Sequence, residues 1–309
     1  MDHFMITAFH NICMTLLVSR LLFAGDGLMQ AHLTSMAFLM SGCTTLVQAT
    51  IGSRLPVYQG GQLAVVLPLA ALSQAVKYAS TDGNMHTTNA TIQECSPVVS
   101  EVRTSIVISA IVQQLLGLTG LMSMLLPWIT PLVIAPTVAL IGFSLYEMVA
   151  IMAATHWPIA LSTACLSVIL ILYIGELSIP CWSNQNSSME HININLTPHF
   201  RVFVVLLLMW GLCSVLTSVG VLEDLTMTRA DNTTTFLHEA PWFTIPKLAL
   251  CWSSPSAAGV AAMLIAVLAS TIEGFTNYYD AARILSITYP PAHTVNRGMG
   301  VEGLGTMLS

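Results

Sequence analysis

Long apolar runs separated by short polar stretches dominate the chain. A helix needs about 20 apolar residues to cross the hydrocarbon core of a bilayer. Eight runs meet that length, and a ninth begins near Asn296 and reaches Ser309. We therefore predict membrane-spanning helices over residues 4–24, 32–52, 60–79, 104–128, 131–153, 157–179, 200–222 and 255–278.

The third run is irregular, because Gly60, Gly61 and Pro68 interrupt it. Broken backbone at membrane depth is tolerated only where protein or a water-filled cavity covers it. Transporters use such broken segments to present half-helix ends and free backbone groups to a substrate. A tight turn ahead of an ordinary helix explains the same pattern equally well.

The composition supports a membrane protein and excludes several other classes. Hydrophobic residues make up 55% of the chain and charged residues 8%, against about 25% charged residues in a soluble domain. The net charge of −6 provides no basic surface for nucleic acid. The seven cysteines form no C-x-x-C pair, so no metal site is predicted. No nucleotide-binding or nucleophile motif is present, and we do not predict an enzyme.

Three polar connections, residues 80–103, 180–199 and 223–254, separate the runs, and strict alternation places the first and third on one side of the membrane. Lysines and arginines are balanced between the two sides, so the positive-inside rule gives no orientation. Cys95 and Cys251 would share one side, either as a disulfide or as two free thiols. Sequons occur at Asn89, Asn186, Asn195 and Asn232.

Glu273 lies inside the eighth run, where a carboxylate costs about 3 kcal/mol or more. Ser270 and Asn277 lie about one helical turn before and after it on the same face, which makes a polar stripe. A stripe that faces a cavity is a functional site by default. The alternative is a carboxylate paired with a neighbouring hydroxyl or placed at the membrane edge. Gln113 and Gln114 in the fourth run are candidates for interhelical hydrogen bonds.

Four segments together resemble the nucleobase–ascorbate transporter family, in the animal branch that includes the sodium-dependent vitamin C transporters. They occur in the family's order along the whole chain, and together they are far more specific than any one alone. The segments are residues 52–61 (GSRLPVYQGG), 131–142 (PLVIAPTVALIG), 269–279 (ASTIEGFTNYY), and 290–298 (PPAHTVNRG) with Glu302-Gly303.

The resemblance implies an all-α polytopic membrane protein with the family's fourteen segments in two inverted seven-segment repeats. Residues 1–128 would hold core-domain segments one to four, and residues 129–222 gate-domain segments five to seven. Residues 223–254 would be an extracellular loop, and residues 255–309 would hold segment eight and the start of segment nine. The chain would then be the first repeat and the start of the second, as a truncated product, with a broken third segment.

The resemblance also implies the site. Glu273 would bind the substrate, ascorbate or a nucleobase, together with Ser270 and the third segment at Leu63, Ala64, Val65 and Val66. Transport would proceed by alternating access of the core against the gate, with no cofactor beyond a coupling ion such as Na⁺. Asn277 stands where the animal branch has the aspartate that helps to hold sodium. A neutral amide binds a cation less strongly, so the departure weakens the expectation of sodium coupling and of ascorbate.

The family orientation places Asn89 and Asn232 outside the cell as glycosylation sites, in a multi-pass protein of the plasma membrane. Expected partners are a small-molecule substrate, the lipid bilayer and a second copy of the chain in a homodimer, with no nucleic acid. Two other functions stay open. The chain could be a non-transporting membrane protein that binds or regulates a full-length partner, or a receptor that binds ligand without moving it.

Overall fold

The structure is a computed structural model, and its described part is mainly α-helical. A 3₁₀ turn, Leu63–Val65, precedes α3, and two strands, β1 (Ser178–Gln185) and β2 (Ser188–Asn195), form an antiparallel hairpin. The helices are α1 Asp2–Phe23, α2 Gly27–Thr50, α3 Val66–Ser80, α4 Pro97–Thr119, α5 Pro131–Ser144, α6 Tyr146–Ala154, α7 Trp157–Leu172, α8 Pro198–Val219, α9 Ala257–Ile284 and α10 Ala292–Leu308. The described residues are 2–23, 27–80, 97–121, 124, 128, 131–172, 178–185, 188–195, 198–220, 254–288 and 290–308.

These helices confirm the predicted class of an α-helical membrane protein. Within the described ranges, three helical stretches are long and apolar enough to cross a membrane: Pro97–Thr119, Leu132–Ala154 and Ala257–Ile284. Several shorter helices, including Trp157–Leu170 and Phe203–Val219, are also apolar. The arrangement in inverted repeats and the four domain boundaries stay predictions.

The third run is interrupted where its glycines predict a break. Residues 52–62 are not helical, the 3₁₀ turn follows, and α3 begins only at Val66. Arg54 adopts a positive φ of 56° just after α2, a backbone conformation that stops a right-handed helix. Pro68 lies in the first turn of α3, where its missing N–H costs no hydrogen bond.

Other helix ends differ from the predicted ones. The fourth run becomes helical at Pro97 rather than at residue 104, because proline suits the first position of a helix. The fifth run forms two helices, α5 and α6, which meet at a turn where the Leu145 N–H donates to the Gly142 carbonyl at 3.3 Å. The helix in the sixth run ends at Leu172, and Ile179 lies in β1. The polar connection 180–199 is therefore mostly a β-hairpin.

The chain forms two compact units. One comprises Met1–Phe9 and Glu147–Glu239, and the other His10–Tyr146 and Ala240–Ser309. In the first unit, α7 packs against α8 through a cluster of Leu170, Val205 and Met209.

In the second unit, α9 and α10 both pack against α4, and α10 also packs against α2. The buried cluster at the centre consists of Leu55, Val57, Phe275, Tyr278, Val295 and Met299. Its members come from α9, α10 and the non-helical residues 52–62, which we call the broken segment. The core of this unit therefore holds the interrupted backbone in place.

Helices α4 and α10 approach each other at the backbone. A Cβ added at Gly117 would lie 2.5 Å from the Gly300 nitrogen, and one at Gly303 would lie 2.8 Å from the Gln114 nitrogen. Small residues permit such close approach between membrane helices. The contact brings Glu302, next to Gly303, opposite Gln113 of α4.

Candidate functional site

Glu273 lies half-buried on α9, and its Oε2 atom is buried without a hydrogen-bond partner among the described residues. His10 of α1 lies within electrostatic range of its carboxylate, and the His10 Nε2 hydrogen bonds with the Gly61 carbonyl. A buried polar atom without a partner in a native fold needs an explanation. An acceptor kept free for a ligand is such an explanation.

The predicted backbone partners of Glu273 belong to an element that packs on the same helix. The 3₁₀ turn contacts α9. Leu63 and Val65 of the predicted set are half-buried, and Ala64 and Val66 are buried. Because the first N–H groups of a helix have no partner within it, this segment can offer donors beside α9.

The other two members of the predicted polar stripe lie in different environments. Ser270 is fully buried, and its hydroxyl donates to the Val267 carbonyl at 2.9 Å. Asn277 is exposed. Within α9, the side chains therefore pass from buried at Ser270 to half-buried at Glu273 to exposed at Asn277. The roles assigned to these residues stay predictions.

A second carboxylate, Glu302 of α10, received no role from the sequence, yet it is the centre of a buried polar network. It is 5% exposed. Its Oε1 accepts hydrogen bonds from Gln62 Nε2 and, at 3.3 Å, from Gln113 Nε2. Its Oε2 accepts from the Tyr278 hydroxyl at 3.5 Å. All three donors are neutral, so among the described residues no positive charge is hydrogen bonded to this buried carboxylate.

The network continues to α2. Gln48 is fully buried and donates from Nε2 to the Tyr278 hydroxyl at 2.6 Å and to Ser53 Oγ at 3.4 Å. Because Tyr278 accepts this bond, its own proton is free to point towards Glu302. Hydrogen bonds thus join α2, α4, α9, α10 and the broken segment. We call Gln48, Gln62, Gln113, Tyr278 and Glu302 the polar network.

Glu302 also lies within electrostatic range of Glu273. The sequence contained one usable signal, since Gln113 was a candidate for an interhelical bond and makes one to Glu302. Glu302 itself appeared only as part of a family motif. Its partner Gln62 is 240 residues away in the chain, which no local pattern reveals.

Side chains hold the broken segment in its extended form. The Tyr58 hydroxyl donates to Asn11 Oδ1 at 2.6 Å. Thr45 Oγ1 accepts from the Gln59 N–H at 3.0 Å and donates to the Gln59 carbonyl at 3.4 Å. Non-helical backbone survives at membrane depth when its polar groups find partners, and these contacts supply several of them.

A cavity of about 260 Å³ lies beside this segment, between α1, α2 and α10. Glu302 lines it, whereas Glu273, Ser270 and the four residues predicted from the third segment do not. The lining residues are Asn11, Met14, Thr15, Val18, Leu33, Met36, Ala37, Met40, Ser41, Thr44, Gln59, Gly60, Gly61, Glu302, Gly305 and Thr306. We call this space the α1–α2–α10 pocket.

Several predicted features cannot be placed. Asn89, Asn232, Cys95 and Cys251 lie outside the described residues, so their glycosylation and disulfide pairing stay predictions. Among the residues that the structure describes, no group of three or more histidine, cysteine, aspartate or glutamate side chains could hold a metal ion.

Comparisons with known proteins agree with the resemblance seen in the sequence. A family model described as the permease family matches residues 1–309. Solute carrier family 23 member 2 of Rattus norvegicus is 33% identical over 291 residues, which cover 90% of this chain and 45% of the relative. Solute carrier family 23 member 1 of the same species is 31% identical over 318 residues, 98% of this chain and 52% of the relative. Nucleobase-ascorbate transporter 2 of Arabidopsis thaliana is 26% identical over 291 residues, 92% of this chain and 52% of the relative. The chain spans about half the length of the curated relatives it matches.

Proposed function

This chain belongs to the permease family, and from that premise we propose that it serves the secondary-active transport of a small polar solute, ascorbate or a nucleobase. The family consists of multi-pass membrane transporters rather than enzymes. The two substrate classes come from the name of a relative, the nucleobase-ascorbate transporter.

The observation that carries the proposal is the buried, unpartnered Oε2 of Glu273. A nucleobase N–H or an ascorbate hydroxyl would donate to this oxygen, and the loss of water from the carboxylate would then be compensated. The 3₁₀ turn packs on the same helix. Its Val65 and Val66 N–H groups bond within the turn, so the N–H groups of Leu63 and Ala64 are the ones that would donate to a carbonyl oxygen of the same substrate.

The transport step that we propose is alternating access, in which the core helices with Glu273 move against a gate of other helices. Sodium is the coupling ion that the sequence resemblance to the animal branch implies, with Asn277 as its weak ligand. The exposed amide of Asn277 lies one helical turn from Glu273. An Asn277→Asp variant should therefore bring a stronger sodium dependence of uptake, and an unchanged sodium response would remove Asn277 from coupling.

The cellular context is also part of the proposal. We place the protein in the plasma membrane as a homodimer, with sugars on Asn89 and Asn232. A mobility shift on glycosidase treatment that is lost in Asn89→Gln but kept in Asn186→Gln supports this orientation. The opposite pattern reverses it.

The test of the function is uptake of radiolabelled uracil and ascorbate by cells that express the chain. We expect saturable uptake of one of them above the level of empty cells. Glu273→Gln should abolish it, because an amide cannot replace a carboxylate as a pure acceptor. The matched control is Glu147→Gln, which changes an exposed carboxylate on α6 and should leave uptake unchanged.

Near-normal uptake by Glu273→Gln would remove Glu273 from the site. Binding of a substrate to the purified chain without any uptake would favour the second function, a membrane protein that binds its ligand or a partner without transport.

A further inference from the structure

The α1–α2–α10 pocket carries an unused hydrogen-bond donor. Asn11 is 2% exposed and lines the pocket. Its Oδ1 accepts from Tyr58, but its Nδ2 is buried and has no partner among the described residues. A buried amide N–H₂ without an acceptor costs about 1–3 kcal/mol. A ligand with a carbonyl oxygen would satisfy it.

Two other side chains of the pocket offer acceptors. Thr44 Oγ1 donates to the Met40 carbonyl at 2.8 Å. Since its proton is used within the helix, this hydroxyl offers lone pairs. Glu302 adds a carboxylate. The pocket therefore suits a molecule that has an N–H donor as well as a carbonyl acceptor.

The lining of the pocket disfavours anions. It contains one carboxyl side chain, Glu302, and no lysine, arginine or histidine. An anion in the pocket would therefore lose its water without meeting a positive charge in the lining. Ascorbate is an anion at neutral pH, whereas the common nucleobases are neutral. Within the two substrate classes, the pocket chemistry therefore favours the nucleobase.

The size and the apolar lining agree with a small planar ring. The cavity of about 260 Å³ lies just below the roughly 300 Å³ at which pockets for drug-sized ligands begin. Met14, Met36 and Met40 line it, and methionine sulfur packs favourably against the edges of aromatic rings. Methionine side chains also adapt their shape to a flat ligand.

The pocket is connected to the proposed transport site through the broken segment. Gly61 lines the pocket, and its carbonyl bonds with His10, the electrostatic partner of Glu273. Glu302 lines the pocket and also interacts with Glu273. A ligand in the pocket would therefore lie beside groups that are within electrostatic range of Glu273.

We propose that the α1–α2–α10 pocket is a recognition site for a neutral cyclic amide of the nucleobase type, read by Asn11, Thr44 and Glu302. This inference rests on the proposed transport function and narrows its substrate class. It adds α1, α2 and α10 to the recognition surface, which the sequence confined to α9 and the third segment.

The test is equilibrium binding of tritiated uracil to the purified chain in lipid nanodiscs, with unlabelled ascorbate as competitor. Thr44→Val removes a pocket acceptor and should weaken uracil binding about tenfold, the scale of one hydrogen bond. Thr50→Val is the matched control. Thr50 lies on the same helix and makes the same type of bond, to the Leu46 carbonyl at 2.7 Å, but it is exposed and outside the pocket.

A second pair of variants distinguishes the effect of the unused Asn11 Nδ2 donor from the effect of its neighbour Tyr58. Asn11→Leu removes the amide and should weaken binding by a similar factor. Tyr58→Phe removes only the bond to Asn11 Oδ1, leaves Nδ2 in place and should bind more tightly than Asn11→Leu. Thr44→Ser keeps a hydroxyl and should bind like the wild type. This variant covers the case in which Thr44→Val does not fold.

Four results would overturn the proposal: no uracil binding by the wild type, equal binding by Thr44→Val and Thr50→Val, equal binding by Asn11→Leu and Tyr58→Phe, or competition by ascorbate as strong as by uracil itself. The outcome is distinct from that of the uptake test. If uptake depends on Glu273 but not on Thr44, the transport proposal stands and the pocket is not a recognition site. If uracil binding depends on Thr44 but no uptake occurs, the pocket is a recognition site and the transport proposal fails.

Discussion

Two pairs of packed helices in this chain use opposite means of association. Helices α7 and α8 meet through Leu170, Val205 and Met209. Helices α4 and α10 meet through backbone contact at Gly117 and Gly303 and through the buried bond from Gln113 to Glu302.

The difference shows which helix contacts in a membrane protein depend on exact side-chain geometry. Lipid tails are as apolar as leucine, so an aliphatic contact such as that of α7 and α8 differs little from a contact with lipid. A buried carboxylate and fully buried amides are costly in hydrocarbon and persist only where a defined set of partners holds them. The α4–α10 pair should therefore be sensitive to small changes, and the α7–α8 pair should not.

The largest expected effect comes from one methyl group. Gly117→Ala would place a Cβ within 2.5 Å of the Gly300 nitrogen and 2.9 Å of the Asn296 oxygen, both of them backbone atoms that cannot move alone. We expect α4 and α10 to separate, at a cost of about 3 kcal/mol in the free energy of unfolding. Denaturant titration in detergent micelles measures it.

The matched control is Gly211→Ala in α8, where an added Cβ meets no atom of another described element within 4 Å. Alanine is a better helix former than glycine by about 0.5–1 kcal/mol, so this variant should be neutral or more stable. Equal changes in the free energy of unfolding for Gly117→Ala and Gly211→Ala would show that the two helix pairs do not differ in their sensitivity to substitution.

The next effect concerns the polar network. Gln113→Leu removes one of the donors to Glu302 and leaves the buried carboxylate less well solvated, at a cost of about 2 kcal/mol. Its neighbour Gln114 is half-buried and has no hydrogen bond to the network. Gln114→Leu should therefore change the unfolding free energy by no more than about 0.5 kcal/mol. A cost for Gln114→Leu as large as that for Gln113→Leu would show that polarity, not the bond to Glu302, stabilises α4.

The smallest effect tests the broken segment. Thr45→Val removes a hydroxyl that accepts from the Gln59 N–H and donates to the Gln59 carbonyl, and we expect a loss of about 1 kcal/mol. Thr45→Ser keeps both hydrogen bonds and should lose less stability. If Thr45→Val and Thr45→Ser lower the free energy of unfolding equally, the Thr45 hydroxyl does not hold the extended backbone. Packing alone would then fix the broken segment.

The sequence predicted the apolar helices and the interruption of the third run because both depend on local composition. Glycine and proline mark a break wherever they interrupt an apolar run, and α3 indeed begins only at Val66. The turn at Leu145 and the hairpin over residues 178–195 were not predicted. An apolar run gives no sign of where one helix divides into two.

The site was predicted only in part. Glu273 stood out because a carboxylate in an apolar run is locally anomalous. Helical spacing predicted that Ser270 and Asn277 share its face, but not that Ser270 is buried and Asn277 exposed, because exposure depends on which helices pack there. The role of Glu302 depends on Gln62 and Gln113, which are 240 and 189 residues away. Contacts over such separations exist only in the folded chain.

We assign Glu273 of α9, whose Oε2 has no partner among the described residues, to ligand binding rather than to stability. The direct test compares the thermal unfolding temperature of wild-type and Glu273→Gln chains in nanodiscs, with and without the substrate that the wild type takes up. A ligand at a hundred times its Kd adds about 2.7 kcal/mol to the stability of the folded state. We predict equal unfolding temperatures without ligand and an upward shift with ligand in the wild type only. A Glu273→Gln chain that shifts as far as the wild type, or that already unfolds at a lower temperature without ligand, would contradict the account.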